Sequence, residues 1–158
     1  MRRIRAFLMV AAVTAAAGTM FAGSAQAAPE RVTGANCDAL YRTHKDDGYF
    51  RAFDAVDCRE LLGAASGNDS NWVDGTGPFT GSDNDKATSV LNTGTYAGGV
   101  NNVLLYQGAQ GGSNGVGCLA HGELYVDDLR DNTFTGGANA NNKISRHVWS
   151  SSCTNPWT

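Results

Sequence analysis

The sequence predicts an all-β fold built from two copies of one four-strand unit, and three observations lead there. Apolar residues come in short bursts, each bounded by Gly, Asn, Asp or Ser: Leu40-Tyr41, Tyr49-Phe50 with Phe53, Ser89-Val90-Leu91, and residues 103–106, 124–126 and 144–149. The 158 residues include 20 glycines, with interior pairs such as Gly98-Gly99 and Gly111-Gly112 that suit turns of positive φ. One segment also recurs. Residues 84–90, Asn-Asp-Lys-Ala-Thr-Ser-Val, align with residues 141–147, Asn-Asn-Lys-Ile-Ser-Arg-His, 57 positions later.

In chain order, Arg2, Arg3 and Arg5 form a cationic head before the apolar run 6–21, and Ala25-Gln26-Ala27 supplies the small residues that signal peptidase needs. Residues 1–27 are therefore expected to be a signal peptide and the mature protein to be secreted. No later stretch reaches the roughly 18 to 20 apolar residues of a membrane helix. Removing 27 of 158 residues leaves 131, enough for a single domain with a real core. Nine basic groups then stand against 15 acidic ones, a net charge of −6. That acidity argues against nucleic acid and anionic membrane as partners.

Residues 28–36 read as a flexible arm, and 154–158 as a short mobile tail carrying Trp157. Between them, 37–153 holds all four cysteines, Cys37, Cys58, Cys118 and Cys153. An even count in an oxidising compartment predicts two disulfides. Of three possible pairings, Cys37 with Cys58 and Cys118 with Cys153 is favoured, because each bridge closes within one half of the chain.

Within 57–62, Leu61 and Leu62 follow charged residues and Gly63 stops the run, which predicts one helical turn. The span 63–81 is polar and glycine-rich and reads as a long loop with Trp72 pinned into it. Upstream of each recurring segment the reading places an aromatic in an opening strand, Tyr41 and Tyr106, followed by a glycine turn at Gly48 and at Gly111-Gly112. Each half also has a cysteine, Cys58 or Cys118, and a leucine near an aspartate. The simplest account is a duplicated unit, the first copy carrying an insertion centred on Trp72.

The stretch 84–89 matches (N/D)-(N/D)-x-x-(S/T)-S and, with the landmarks upstream, resembles the calcium-binding motif of the microbial βγ-crystallins. That resemblance covers about 40–149 and implies two Greek-key motifs, about 37–97 and about 100–153, paired in one β-sandwich. It also implies that each motif contributes to two neighbouring calcium sites, with Asn84, Asp85 and Thr88 in one clamp and Asn141, Asn142 and Ser145 in the other. The sixth position, Ser89 in the first copy, is Arg146 in the second, which departs from the pattern and is expected to weaken binding. Signal peptide, cysteine count and size are also similar to those of the secreted actinomycete metalloprotease inhibitors, which use the same architecture.

Calcium takes six to eight oxygen ligands, and each turn offers carboxylate, amide, hydroxyl and backbone oxygens within six residues. One turn is too small to encircle the ion, so two must cooperate. The same residue types also brace ordinary hairpin turns by bonding their own backbone. With one carboxylate among the four leading positions, affinity is expected to be low. Asp46-Asp47-Gly48 and Asp127-Asp128 are expected to be exposed turns.

Catalytic patterns are weak. Residues 111–115 fit G-x-S-x-G, but Gly-Val-Gly follows where a helix must start. His44, His121 and His147 lack zinc-site spacing, and His147 is expected to face solvent. No carboxylate pair stands out for glycoside hydrolysis. The reading is therefore a secreted, monomeric, non-enzymatic protein whose cofactor and partner is calcium. The alternative is an inhibitor of an extracellular protease acting through the 63–81 loop, with Trp72 and Pro78 as anchors. An extracellular polymer hydrolase is the lesser alternative.

Overall fold

The computed structural model describes residues 34–95, 99–109 and 115–158. The signal peptide 1–27, residues 28–33 of the arm and most of the G-x-S-x-G stretch lie outside the described residues. The order of elements is α1 (Ala35–His44), β1 (Phe50–Ala55), β2 (Arg59–Ala65), β3 (Ser89–Asn92), β4 (Asn102–Gln107), β5 (Val116–Leu119), β6 (Tyr125–Val126), a 3-10 turn (Leu129–Asp131) and β7 (Ile144–Ser150). Among the described residues no helix is long and apolar enough to cross a membrane.

The strands form two antiparallel sheets, β2-β1-β3-β6 and β5-β4-β7. At Asp69 the chain also makes an isolated antiparallel bridge to His147 of β7. The duplication is visible in this order. In the first unit β1 and β2 form a hairpin, the chain crosses to β7 of the other sheet at Asp69, and β3 returns beside β1. In the second unit β4 and β5 form the hairpin, β6 crosses to pair with β3, and β7 returns beside β4. Each unit is thus a Greek key that gives its third segment to the partner's sheet, and the fold is an all-β sandwich of two such keys.

Phe50, Trp72, Phe79, Val90, Val103, Leu105, Leu119, Leu129, Phe134 and Ile144 fill the space between the sheets. A second, smaller core lies outside the first sheet. Cys37, Leu40 and Tyr41 project from one face of α1 onto Phe53, Cys58 and Leu91, so β1 is buried on both faces along Phe50, Arg51, Ala52 and Phe53.

Several expectations are corrected here. Leu40-Tyr41 lies in α1 and not in a strand, because 37, 40, 41 and 44 fall on one helical face. The opening aromatic of the first unit is Phe53, which pairs with Ser89 as Tyr106 pairs with Arg146. Residues 34–36 are not part of a mobile arm. Gly34 is buried, and Asn36 bonds to the Asp57 carboxylate and to the carbonyls of Asp57 and Cys58. The expected helical turn at 57–62 is the hairpin turn and start of β2, where Asp57, Cys58 and Glu60 take positive φ.

The tail is also fixed. Asn155 accepts from the Cys118 N–H and Trp157 donates its own to the Cys118 carbonyl, covering the free edge of β5. The Trp157 indole is 2% exposed and donates to the Thr133 carbonyl at 2.9 Å. It fits because residue 117 is glycine; a Cβ there would overlap the ring. Both expected disulfides are present, Cys37–Cys58 with Cα atoms 5.0 Å apart and Cys118–Cys153 at 5.5 Å.

Candidate functional site: paired turns across the two keys

The recurring segments enter β3 and β7 side by side. In each, the second residue takes a left-handed conformation, φ 56° at Asp85 and 55° at Asn142, which Asp and Asn tolerate better than other non-glycine residues. That geometry lets each turn donate to the other. The Asp85 N–H bonds the Ile144 carbonyl at 3.1 Å, and the Asn142 N–H bonds the Ala87 carbonyl at 2.9 Å.

The side chains repeat the exchange. The Ser145 hydroxyl donates to Asp85 Oδ1 at 3.1 Å, and the Thr88 hydroxyl donates to Asn142 Oδ1 at 3.2 Å. The fifth-position hydroxyl of each turn therefore sits against the second-position oxygen of the other. Asn84 Oδ1 and Asn141 Oδ1, also equivalent by the repeat, are both buried without a hydrogen-bond partner among the described residues. A buried polar atom left unpaired costs about 1–3 kcal/mol, and the same defect occurs at the same place in both copies.

Four of the six residues singled out from the sequence, Asp85, Thr88, Asn142 and Ser145, are thus brought together in one reciprocal arrangement, and Asn84 and Asn141 open the same two turns. Its donors are hard oxygens of amide, hydroxyl and a single carboxylate, Asp85. Among the described residues no group of three or more His, Cys, Asp or Glu is arranged to hold a metal ion. This set suits calcium in kind and does not suit zinc.

Ser89 and Arg146, the sixth positions, do different work. Ser89 is fully buried, donates to the Ala55 carbonyl at 2.6 Å and accepts from the Cys58 N–H at 3.0 Å, so it fastens the β1–β2 turn. Arg146 follows Ser145 along β7 and so faces the opposite side of the strand. Its guanidinium lies over the Tyr106 ring, 3.9 Å from the centroid. The departure from the pattern removes a brace and leaves the oxygens of the paired turns in place.

The other candidates lie elsewhere. Trp72 is fully buried, stacked on Phe79 with centroids 4.0 Å apart, and is a core residue with no face for a partner. Pro78 is exposed. His147 does not face solvent: it is fully buried, with Nδ1 accepting from the Trp72 indole at 3.1 Å and Nε2 against the Gly67 carbonyl at 2.9 Å. Burial pushes its pKa down to about 4. The indole is a donor only, so the neutral ring carries its hydrogen on Nε2.

Asp47 lies in the expected exposed turn and ties it to Arg51 and Thr93, accepting from both side chains and from the Tyr49 N–H. Burial raises its carboxyl pKa, but hydrogen bonds from Arg51, Thr93 and the Tyr49 N–H outweigh that and hold it at about 2. Asp128 caps the 3-10 turn by accepting from the Arg130 N–H. Sequence reasoning missed α1 and the inward-facing His147, although the 37-40-41-44 spacing was a readable signal for the helix.

No family model and no curated protein matches the chain. A solved structure described as "Evolution of the eye lens beta-gamma-crystallin domain fold" is similar to it, with 17% identity and a TM-score of 0.46, over 64% of this chain and 83% of that one. The Greek-key topology stated above stands on this chain's own strand pairing.

Proposed function

We propose that this is a secreted, non-enzymatic calcium-binding protein whose ions sit at the two paired turns. The observation that carries the reading is the reciprocal contact of Ser145 with Asp85 and of Thr88 with Asn142, backed by the two unpartnered oxygens of Asn84 and Asn141. An ion at each pair would take the second-position oxygen from one key and the fifth-position hydroxyl from the other, so binding would tie the two keys together.

The test is thermal melting of the mature protein in chelator and in millimolar calcium. A ligand that binds only the folded state, present at about 100 times its Kd, adds about 2.7 kcal/mol, which moves the midpoint by several degrees in a domain of this size. A rise that magnesium does not reproduce supports the reading. An unchanged midpoint removes it.

A second reading, inhibition of an extracellular protease, is favoured by the span between Trp72 and Phe79. Those two stacked rings clamp its ends in the core, while Asp69 accepts from the Asn71 and Phe79 N–H groups and Asp74 from the Thr76 N–H. Val73, 56% exposed, and Pro78 lie on this braced loop. A preorganised loop loses little entropy on entering a cleft. Inhibition of a bacterial metalloprotease that is lost on replacing 73–78 by glycine and serine would support it.

A further inference from the structure

Two hollows adjoin where β1 begins and β2 and β3 finish. The first, about 350 Å³, is bounded by Gly48, Gly94, Thr95, Val100 and Trp149 together with 66–68. The second, about 250 Å³, shares Ser66, Gly67 and Asn68 and continues to Tyr49, Ala64, Ala65 and Pro78. Together they make a trough with Trp149 on one side of the Ser66–Gly67–Asn68 crossing and Tyr49 on the other. Its volume falls in the range of about 300–1,000 Å³ typical of small-molecule clefts.

The lining has a definite chemistry. None of the described lining residues carries a formal charge, and the nearby Arg51 guanidinium, 5.3 Å from the Tyr49 ring centroid, is already paired with Asp47. The lining is not simply apolar either, since Ser66, Asn68 and Thr95 bring hydroxyl and amide groups. Asn68 uses its carbonyl oxygen on the Trp149 backbone N–H at 2.8 Å, which leaves its amide hydrogens for a ligand.

Trp149 Nε1 is buried and has no hydrogen-bond partner among the described residues. Its ring is fixed, because Gly94 lets the backbone lie where a Cβ would stand 2.5 Å from Cζ3. Tyr49, 38% exposed, is the second aromatic. Two aromatic surfaces flanking neutral donors and acceptors suit a ligand with apolar C–H faces and a rim of hydroxyls.

We propose that this trough is a binding site for a neutral saccharide chain, separate from the paired turns. Sugar rings would pack against Trp149 and Tyr49, and their hydroxyls would bond to Asn68, Ser66 and Thr95. The described lining holds no carboxylate to serve in the acid and base pair of glycoside hydrolysis, so the activity proposed is binding.

Intrinsic fluorescence provides the test, because Trp72 and Trp157 are buried and Trp149 is the tryptophan that meets the trough. The mature protein is titrated with the β-1,4-linked tetrasaccharides of glucose, N-acetylglucosamine and xylose, with chelator present. The expected result is a saturable change with at least one of them, weakened about tenfold by Asn68→Ala and by Tyr49→Ala, and lost as a signal in Trp149→Phe. Melting of each variant shows that it is folded, and Tyr49→Ala at an exposed ring keeps the test open if Asn68→Ala is not. No change with any tetrasaccharide at millimolar concentration, or binding that neither substitution alters, overturns the proposal. Because chelator is present throughout, that failure is distinct from failure of the calcium reading.

Discussion

The indole Nε1 of Trp72 donates to Nδ1 of His147 across 3.1 Å in the centre of the sandwich. One residue comes from the segment by which the first key crosses over, and the other from the last strand of the second key. The same junction carries the backbone bond from the Trp72 N–H to the Ser145 carbonyl at 2.9 Å, so the core joint and the paired turns share β7.

This bond makes stability pH-dependent. The indole can only donate, so His147 must stay neutral to accept, and burial lowers its pKa to about 4 in the folded state. The unfolded chain binds a proton at about 6.5. Stability is therefore fully present above about 6.5, falls as pH drops through that value, and levels off below 4, with a total loss of about 3 kcal/mol at about 1.4 kcal/mol per pH unit. Denaturant unfolding at pH 7.5, 5.5 and 4 measures the slope. A His147→Gln variant that keeps the same slope would assign it to other groups.

The paired turns are unequal. One contains the Asp85 carboxylate and the other only the Asn142 amide, and calcium affinity rises with ligand charge. Asp85→Asn is expected to weaken calcium binding by about tenfold or more, and Asn142→Asp to strengthen it by a similar factor, about 1.4 kcal/mol each way. Calorimetric titration reads both. If neither substitution changes the titration, the ion is not at these turns.

The Asp57 carboxylate accepts from the Asn36 and Cys37 N–H groups at 2.9 and 3.2 Å, capping α1 from 20 residues away. Position 57 has φ 58°, so Asp57→Gly removes the cap without adding backbone strain. The expected loss is about 1 kcal/mol, seen as a lower denaturation midpoint with an unchanged slope. An unaltered midpoint would mean that the disulfide, the Asn36 amide and the packing of Leu40 and Tyr41 hold the helix without this cap.

That long-range cap explains part of what the sequence hid. Gly34, at the N-cap position, makes no side-chain cap bond, so no local signal marks the start of α1, and Tyr41 reads from sequence as a strand residue. The recurring segments were legible because Asp85 and Asn142 must adopt the same left-handed turn, which restricts residue type locally. The strands at 103–106 and 144–149 were legible from their apolar bursts, and the disulfide partners from their even division between halves. His147 was misplaced because its burial depends on Trp72, 75 residues away, and no local pattern encodes that partner. β2 was obscured by three positive-φ residues, Asp57, Cys58 and Glu60, which make its entry irregular.

Ser89 closes the first hairpin from the neighbouring strand. Ser89→Ala would leave the Ala55 carbonyl and the Cys58 N–H without their bonds to this hydroxyl. Each such loss costs about 1–3 kcal/mol when the group is buried, so for the two bonds unfolding free energy is expected to fall by about 2–6 kcal/mol. Ser89→Thr keeps the hydroxyl and is expected to lose less. Equal losses in the two variants would point to the added methyl or to packing rather than to the missing bonds.

The C-terminal five residues decide whether β5 ends in an open edge. An unpaired strand edge invites association with other chains, and here Asn155 and Trp157 occupy the Cys118 backbone groups while the indole fills the space over Gly117. Removing 154–158 is expected to destabilise the domain by about 3–5 kcal/mol, the range for truncating a buried tryptophan. It should also promote self-association, which light scattering would register. Trp157→Ala retains the backbone cover and removes the ring, so it is expected to lose most of the stability while staying monomeric. If the truncated and full-length proteins melt together, the tail is as dispensable as its sequence suggests, and the packing of Trp157 contributes nothing measurable.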